Sequence, residues 1–217
     1  MTILFDLDGT LVDTAPDFSQ AISKVNSTLE SSASLPSLDQ IRMAISGGIQ
    51  AIMRTAFSTV SDPIKNQLLT HYEEQLGQYA HLFEGMDQLL KDLDQQRIKW
   101  GIVTNKEERF TTPLLKQLNL LKRASCIVSG DTTPYTKPHP QPLLYACAQL
   151  QTQPEQCIYI GDAKRDIIAG KKAGMTTVVA LFGYIPNREE AYSWNADHYV
   201  EHPKDIFPWY EQWQHSR

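Results

Sequence analysis

Phe5-Asp6-Leu7-Asp8-Gly9-Thr10-Leu11-Val12-Asp13-Thr14 follows directly on the short apolar run that begins at Thr2. In an extended strand, residues two apart project to the same side. Asp6 and Asp8 would therefore face one site while Leu7 turns into the core. Like charges this close repel unless a cation lies between them or a proton is shared. An ordinary Asp/Gly turn would use the same residue types. Three further polar clusters follow apolar runs in the same manner, however, and together they read as a site assembled from strand ends.

Working outward, apolar runs end in polar residues at Ile98–Val103 (then Thr104-Asn105-Lys106), Cys126–Val128 (then Ser129-Gly130-Asp131) and Cys157–Ile160 (then Gly161-Asp162). Thr177–Leu181 makes a fifth strand and His198–Val200 a short sixth. Between them lie helical stripes: Met86, Leu89, Leu90, Leu93; Phe110, Leu114, Leu115, Leu118; Leu143, Leu144, Cys147, Leu150; and a shorter piece from Ile167 to Ala173, stopped by Gly174. Strands alternating with helices of this length imply a parallel sheet covered on both faces. Ligands then bind beyond the carboxyl ends of the strands, where every polar cluster falls.

One interval breaks the alternation. From Gly9 to Arg97 the chain is far longer than the roughly thirty residues of a strand-helix-strand unit. Within it, Phe18, Ala21, Ile22, Val25 and Leu29 form one helical stripe, and Ile41, Ile45, Ile49, Ile52 and Met53 a second, interrupted at Ser46-Gly47-Gly48. Ile64, Leu68, Tyr72, Leu76 and Tyr79 form a third, and no strand is evident. Ser31 to Ser37 reads as a short Ser-rich loop. The expected organisation is a core of residues 1–14 and 83–217 with a helical cap, 15–82, leaving just after the Asp pair. Such lids exclude water and supply specificity contacts.

The 217 residues are enough for one sizeable core with a small second unit. A net charge of -5 argues against nucleic acid as the main partner, because backbone binding needs a clustered basic surface. No apolar run is long enough to span a membrane. Thr2 to Phe5 leads straight into the Asp pair without a basic start or cleavage site, so no secretory signal is expected and a cytoplasmic location is. Cys126, Cys147 and Cys157 fit no zinc spacing and read as buried, reduced thiols. Trp209 and Trp213, one turn apart, are expected to pack a terminal helix on the core.

Asp6-x-Asp8-Gly-Thr-Leu-Val-Asp-Thr, Val103-Thr104-Asn105-Lys106, Lys137-Pro138-His139-Pro140 and Gly161-Asp162-x-x-x-Asp166, in that order along the chain, resemble the four motifs of the haloacid dehalogenase superfamily of phosphohydrolases. The resemblance implies an α/β fold: a Rossmann-like parallel-sheet core with an inserted all-helical cap of the C1 type. It implies Mg2+ held by Asp6, Asp162 and the backbone carbonyl of Asp8, with Asp166 in support, holding a metal-bound water or Lys137. Asp6 would be the nucleophile and Asp8 the acid and base. Thr104 and Lys137 would act on the phosphoryl oxygens, with Gly9, Thr10, Asn105 and Lys106 in the phosphate-binding set. Ala163 departs from the family pattern, in which many members carry Ser, Thr or Asp, and forgoes one supporting hydrogen bond.

The acid at Asp8 sets the chain apart from the family's dehalogenases and leaves a beta-phosphoglucomutase-like phosphotransferase as the alternative. Thr10–Asp17 is similar to phosphoglycolate phosphatases. Ile45–Gly48, Leu82–Met86, Trp100–Lys106 and Phe182–Ile185 resemble bacterial N-acetylmuramic acid 6-phosphate phosphatases of peptidoglycan recycling. Both substrates join a phosphate to a carboxylate, so the expected partner is a small phosphorylated metabolite carrying a carboxylate. Arg42, Arg54, Lys106 and Arg109 are the candidate cations for it, with Gly47 and Gly48 letting the cap backbone approach. A monomer is expected rather than an oligomer.

Overall fold

A computed structural model describes residues 1–29 and 34–215. Six strands form one parallel sheet in the order β5 (Ile127–Val128), β4 (Lys99–Val103), β1 (Thr2–Phe5), β6 (Cys157–Gly161), β7 (Thr176–Ala180) and β8 (His198–Val200). β1 lies at the centre, with Phe5 opposite Ile102 on one side and Ile160 on the other. The strand order reverses between β1 and β6, the crevice where such sheets bind ligands. Asp6 and Asp162 stand at the carboxyl ends of the two strands that flank it.

The strands are buried on both faces, as parallel sheets require. Ile3 and Phe5 of β1, with Ile158 and Ile160 of β6, join the cluster formed with α5 (Met86–Gln95) and α6 (Glu108–Gln117). Leu4, Val103, Cys157 and Tyr159 face the opposite cluster, built with α7 (Gln141–Leu150) and α8 (Lys164–Ala173). The helical stripes land as their spacing predicts, with differences where a stripe overruns its helix. Leu144 is exposed because it sits about 100° around α7 from Leu143. Leu29 and Tyr79 are exposed because each lies past the end of its helix.

The long interval folds into α1 (Ala15–Thr28), α2 (Leu38–Ile45), α3 (Gly48–Ala56) and α4 (Asp62–Glu74). Ser37 starts α2 with a capping box: its hydroxyl accepts from the Gln40 N–H while the Gln40 side chain accepts from the Ser37 N–H. The first residues of the expected Ser-rich loop, 31–33, lie outside the described residues. Contrary to the sequence reading, the interval is not free of strands. β2 (Val12–Asp13) pairs antiparallel with β3 (His81–Leu82), bringing its two ends side by side. Two residues per strand are too few to show an alternating pattern.

Asp17, wholly buried in α1, ties the return segment down: its carboxylate accepts from the N–H groups of Gly77, Tyr79 and Ala80, and its carbonyl accepts from the Gln75 amide. All three cysteines are free. Cys147 and Cys157 are buried as expected, while Cys126 is only half-buried. After the short helix α9 (Arg188–Tyr192), α10 (Ile206–His215) closes the chain, and Trp209 and Trp213 pack its inner side on the main core.

Candidate active site

Lys137 is the electrostatic centre of the strand-end crevice. Its ammonium, with a fully buried side chain, lies 2.7 Å from Asp6 Oδ1 and 2.8 Å from Asp166 Oδ1. It also donates to the Tyr159 hydroxyl (2.7 Å) and the Val103 carbonyl (3.0 Å). A buried ammonium is tolerated only when paired and hydrogen-bonded, and here oxygens surround it. The Lys137 backbone is clamped by Asn105: the Asn105 amide donates to the Lys137 carbonyl (2.9 Å) and accepts from its N–H (3.0 Å). The Asn105 side chain, expected on phosphate, is thus occupied in holding the lysine loop against the end of β4.

Asp6, Asp162 and Asp166 each bring a carboxylate oxygen within 4.8 Å of the other two, all buried. Burial pushes the Asp6 carboxyl up to about 6, with Lys137 opposing the shift and Asp166 adding to it. Burial also pushes Asp162 up to about 8, reinforced by Asp6 and Asp166. Three acids so placed need protons or a cation. Asp166 is spoken for on both oxygens: Oδ1 pairs with Lys137, and the second oxygen accepts from the Ala163 N–H at the start of α8 (3.0 Å). Asp162 is steadied by the Tyr184 N–H (2.8 Å) and the Thr10 hydroxyl (3.2 Å). Thr10 is wholly buried and spent on Asp162, a correction to its expected place on the phosphate. Gly9 adopts φ +84°, and a Cβ there would fall 2.1 Å from Asp162 Oδ2. The glycine is required by the carboxylate behind it as well as by the turn.

Asp8 lies apart from this cluster. Its Oδ1 accepts from the Thr14 hydroxyl (2.7 Å) and pairs with the Lys106 ammonium (2.8 Å). Lys106 also lies over the rings of Phe18 and Tyr72, 5.7 and 5.1 Å from their centroids, and these two rings stack at 3.8 Å. Burial alone would lower the lysine; Asp8 more than offsets it and holds the ammonium above the ordinary range.

A cavity of about 410 Å³ opens over Asp6 and Asp8. Thr104, Asn105 and Lys106 line it from the end of β4; Ser46, Gly47 and Gly48 from the turn between α2 and α3; Phe18 and Tyr72 from α1 and α4. Gly48 takes φ +72°, a left-handed conformation that glycine adopts at no steric cost, as the turn enters α3. The sequence reading missed Arg165. It lines the cavity from the first turn of α8 and donates to the Ser46 carbonyl at 2.5 Å, joining α8 to the turn between α2 and α3. A charged residue in the unspecified interior of Gly161-Asp162-x-x-x-Asp166 carried no signal of its own.

The other expected cations divide. Arg109 lines the cavity but pairs with Glu107 (2.8 Å) and is half exposed. Arg42 does not line it: its guanidinium is taken by Asp13 (2.7 Å) and Asp39 (2.7 Å), which corrects its expected role toward substrate. Arg54 is exposed on α3, also outside the lining.

A Rossmann-order sheet, an acid trio at its switch point and a helical insert over it define a class of hydrolase. The chain belongs to the haloacid dehalogenase-like hydrolase family, whose model matches residues 3–180, and stands among that family's phosphatases. It is 37% identical over 213 residues to the N-acetylmuramic acid 6-phosphate phosphatase of Pseudomonas putida, covering 94% of this chain and 93% of that one. It is 41% identical over 211 residues to the phosphoglycolate phosphatase of Xanthomonas campestris pv. campestris, covering 94% of each. Among solved structures, a predicted phosphoglycolate phosphatase from Haemophilus somnus superposes with a TM-score of 0.83 at 27% identity, covering 95% of this chain and 96% of that one.

Proposed function

We propose that the protein hydrolyses phosphate monoesters of a small carboxylated metabolite, with Mg2+ as cofactor and Asp6 as nucleophile. The observation that carries the reading is the separation of the two opening acids: Asp6 in the buried trio with Lys137, Asp8 held by Lys106 and Thr14 at the cavity floor. The donor set suits a hard divalent cation, because Asp6 and Asp162 offer carboxylate oxygens whose burial otherwise keeps protons on them. In the proposed site Asp6, Asp162 and the Asp8 backbone carbonyl hold the ion, with Asp166 in support. Bound there, Mg2+ supplies the charge that lets a carboxylate approach a phosphate dianion.

The chain's own groups then carry the reaction. Asp6 attacks phosphorus and forms an aspartyl-phosphate while the ester oxygen leaves. Asp8 gives that oxygen a proton and later takes one from the water that hydrolyses the intermediate. Lys137 and the Thr104 hydroxyl stabilise phosphoryl oxygens. Residues 15–82 act as the cap over a core of 1–14 and 83–217. A monomeric enzyme belongs to the same reading, and a cytoplasmic location suits its free thiols. Among the described residues no helix is long and apolar enough to cross a membrane.

The names of the relatives divide between the two substrates, and the cavity volume favours N-acetylmuramic acid 6-phosphate over 2-phosphoglycolate. A volume near 410 Å³ lies in the range of sites for molecules much larger than a two-carbon acid. The test is phosphate release from both substrates with Mg2+, with chelator, and with Asp6→Asn. The proposal expects release only from the Mg2+-loaded native enzyme; undiminished release by Asp6→Asn would sink it. A beta-phosphoglucomutase-like transferase would instead interconvert hexose phosphates with little free phosphate.

A further inference from the structure

Three cations line the cavity, and two are already matched: Lys106 by Asp8 and Arg109 by Glu107. Arg165 forms no ion pair within salt-bridge distance among the described residues. Its Nη1 donates to the Ser46 carbonyl, and its buried Nε has no hydrogen-bond partner. A guanidinium carries five donors in a planar fork suited to an oxyanion. Removing one from water with donors unfilled is unfavourable, and a ligand that completes them recovers that loss. The carboxylates of Asp166, Asp6 and Asp162 also favour its charge, but none of them reaches it as an ion pair. The reaction centre is Asp6, at the floor, whereas the near contact of Arg165 is the turn between α2 and α3, in the cap.

We propose that Arg165 is the specificity residue for a carboxylate on the substrate, which it binds beside the Ser46–Gly48 turn while the phosphate lies against Asp6. The proposal rests on the phosphomonoesterase reading and adds the residue that selects among esters. Because the same guanidinium holds the cap turn, an acidic substrate would also be bound with the cap in its closed position.

The test uses matched esters that differ by one carboxylate. N-acetylglucosamine 6-phosphate lacks the lactyl acid of N-acetylmuramic acid 6-phosphate, and 2-hydroxyethyl phosphate replaces the carboxylate of 2-phosphoglycolate with a hydroxymethyl group. The native enzyme is expected to favour the acid of at least one pair by about a hundredfold or more in kcat/KM. Arg165→Gln should bring that ratio to within about threefold of one, and Arg165→Lys, which keeps the charge but not the fork, should leave it between. An acid-to-neutral ratio that Arg165→Gln or Arg165→Lys leaves unchanged would overturn the proposal, because a purely structural latch lowers both members together. A native ratio near one in both pairs would overturn it without any variant, and stands even if the substitutions unfold the chain. Phosphate release without discrimination would retain the hydrolase and reject only the role of Arg165; no release from any of the four esters would reject the hydrolase itself.

Discussion

The Lys106 ammonium rests 2.8 Å from Asp8 Oδ1, while the Lys137 ammonium rests 2.7 Å from Asp6 Oδ1. Each opening acid therefore has its own lysine, so two carboxylates two residues apart stand in different electrostatic surroundings. Lys106→Met should lower kcat by about ten- to a hundredfold on acidic and neutral esters alike, because Asp8 loses an orienting partner but keeps Thr14. Steady-state kinetics on both classes would show it; a loss confined to acidic esters would make Lys106 a substrate-binding group instead.

Metal affinity should depend on pH. In the metal-free protein burial raises Asp6 and Asp162 to about 6 and about 8, above the roughly 4 of an unfolded aspartate. The folded chain then holds more protons than the unfolded one across that window. This contribution to its stability is full below pH about 4 and is lost as pH rises through the two folded values. Mg2+ needs the ionised carboxylates and displaces those protons, so its affinity should tighten between pH about 6 and about 8 and then level off. Calorimetric titration across that range checks this, and a pH-independent Kd would count against Asp6 and Asp162 as the ligands.

Arg42 should matter for stability rather than for substrate. Burial works against ionised Asp13, but hydrogen bonds from Arg42 and Tyr184 prevail and hold its carboxyl below the usual range. Arg42→Met should cost about 1–2 kcal/mol at neutral pH in denaturant unfolding. The sign follows from the lowered carboxyl: the difference is present above pH about 4 and shrinks as acid protonates Asp13. KM for any ester should move by less than about threefold; a large rise would return Arg42 to the substrate site.

Tyr184 links the acid trio to the strand pair below the cap. Its N–H donates to Asp162, and its hydroxyl donates to Asp13 (2.6 Å) while accepting from the Thr14 N–H (2.7 Å). Tyr184→Phe should destabilise the fold by about 1–3 kcal/mol, leaving buried groups unpaired, while Mg2+ affinity holds because the backbone donor remains. Thermal unfolding with and without Mg2+ separates the two effects.

The sheet strands and the helices α5 to α8 were legible because each repeats a spacing over several residues. Asp6 and Asp162 were legible because each follows an apolar run, Asp8 because it stands two residues from Asp6, and Asp166 because it completes Gly161-Asp162-x-x-x-Asp166. β2 and β3 were not, since Val12-Asp13 and His81-Leu82 each pair one apolar with one polar residue, whereas the equally short β5 sits in the apolar run Cys126–Val128. Arg42 was misread because its partner Asp13 lies 29 residues away, and Thr10 because the carboxylate it serves is 152 residues away. The Phe182–Ile185 segment was noticed without a role; only folding brought Tyr184 between Asp162 and Asp13.

By itself the sequence determined which acids stand at strand ends, their order, and the interval that leaves the core after the first pair. Those follow from local periodicity, which any stretch of chain carries within itself. The tertiary structure decided which cation meets which carboxylate, and so which one was left over for a ligand. Charge pairing is settled by distance and by the loss of water around each group, and neither exists until the chain has folded.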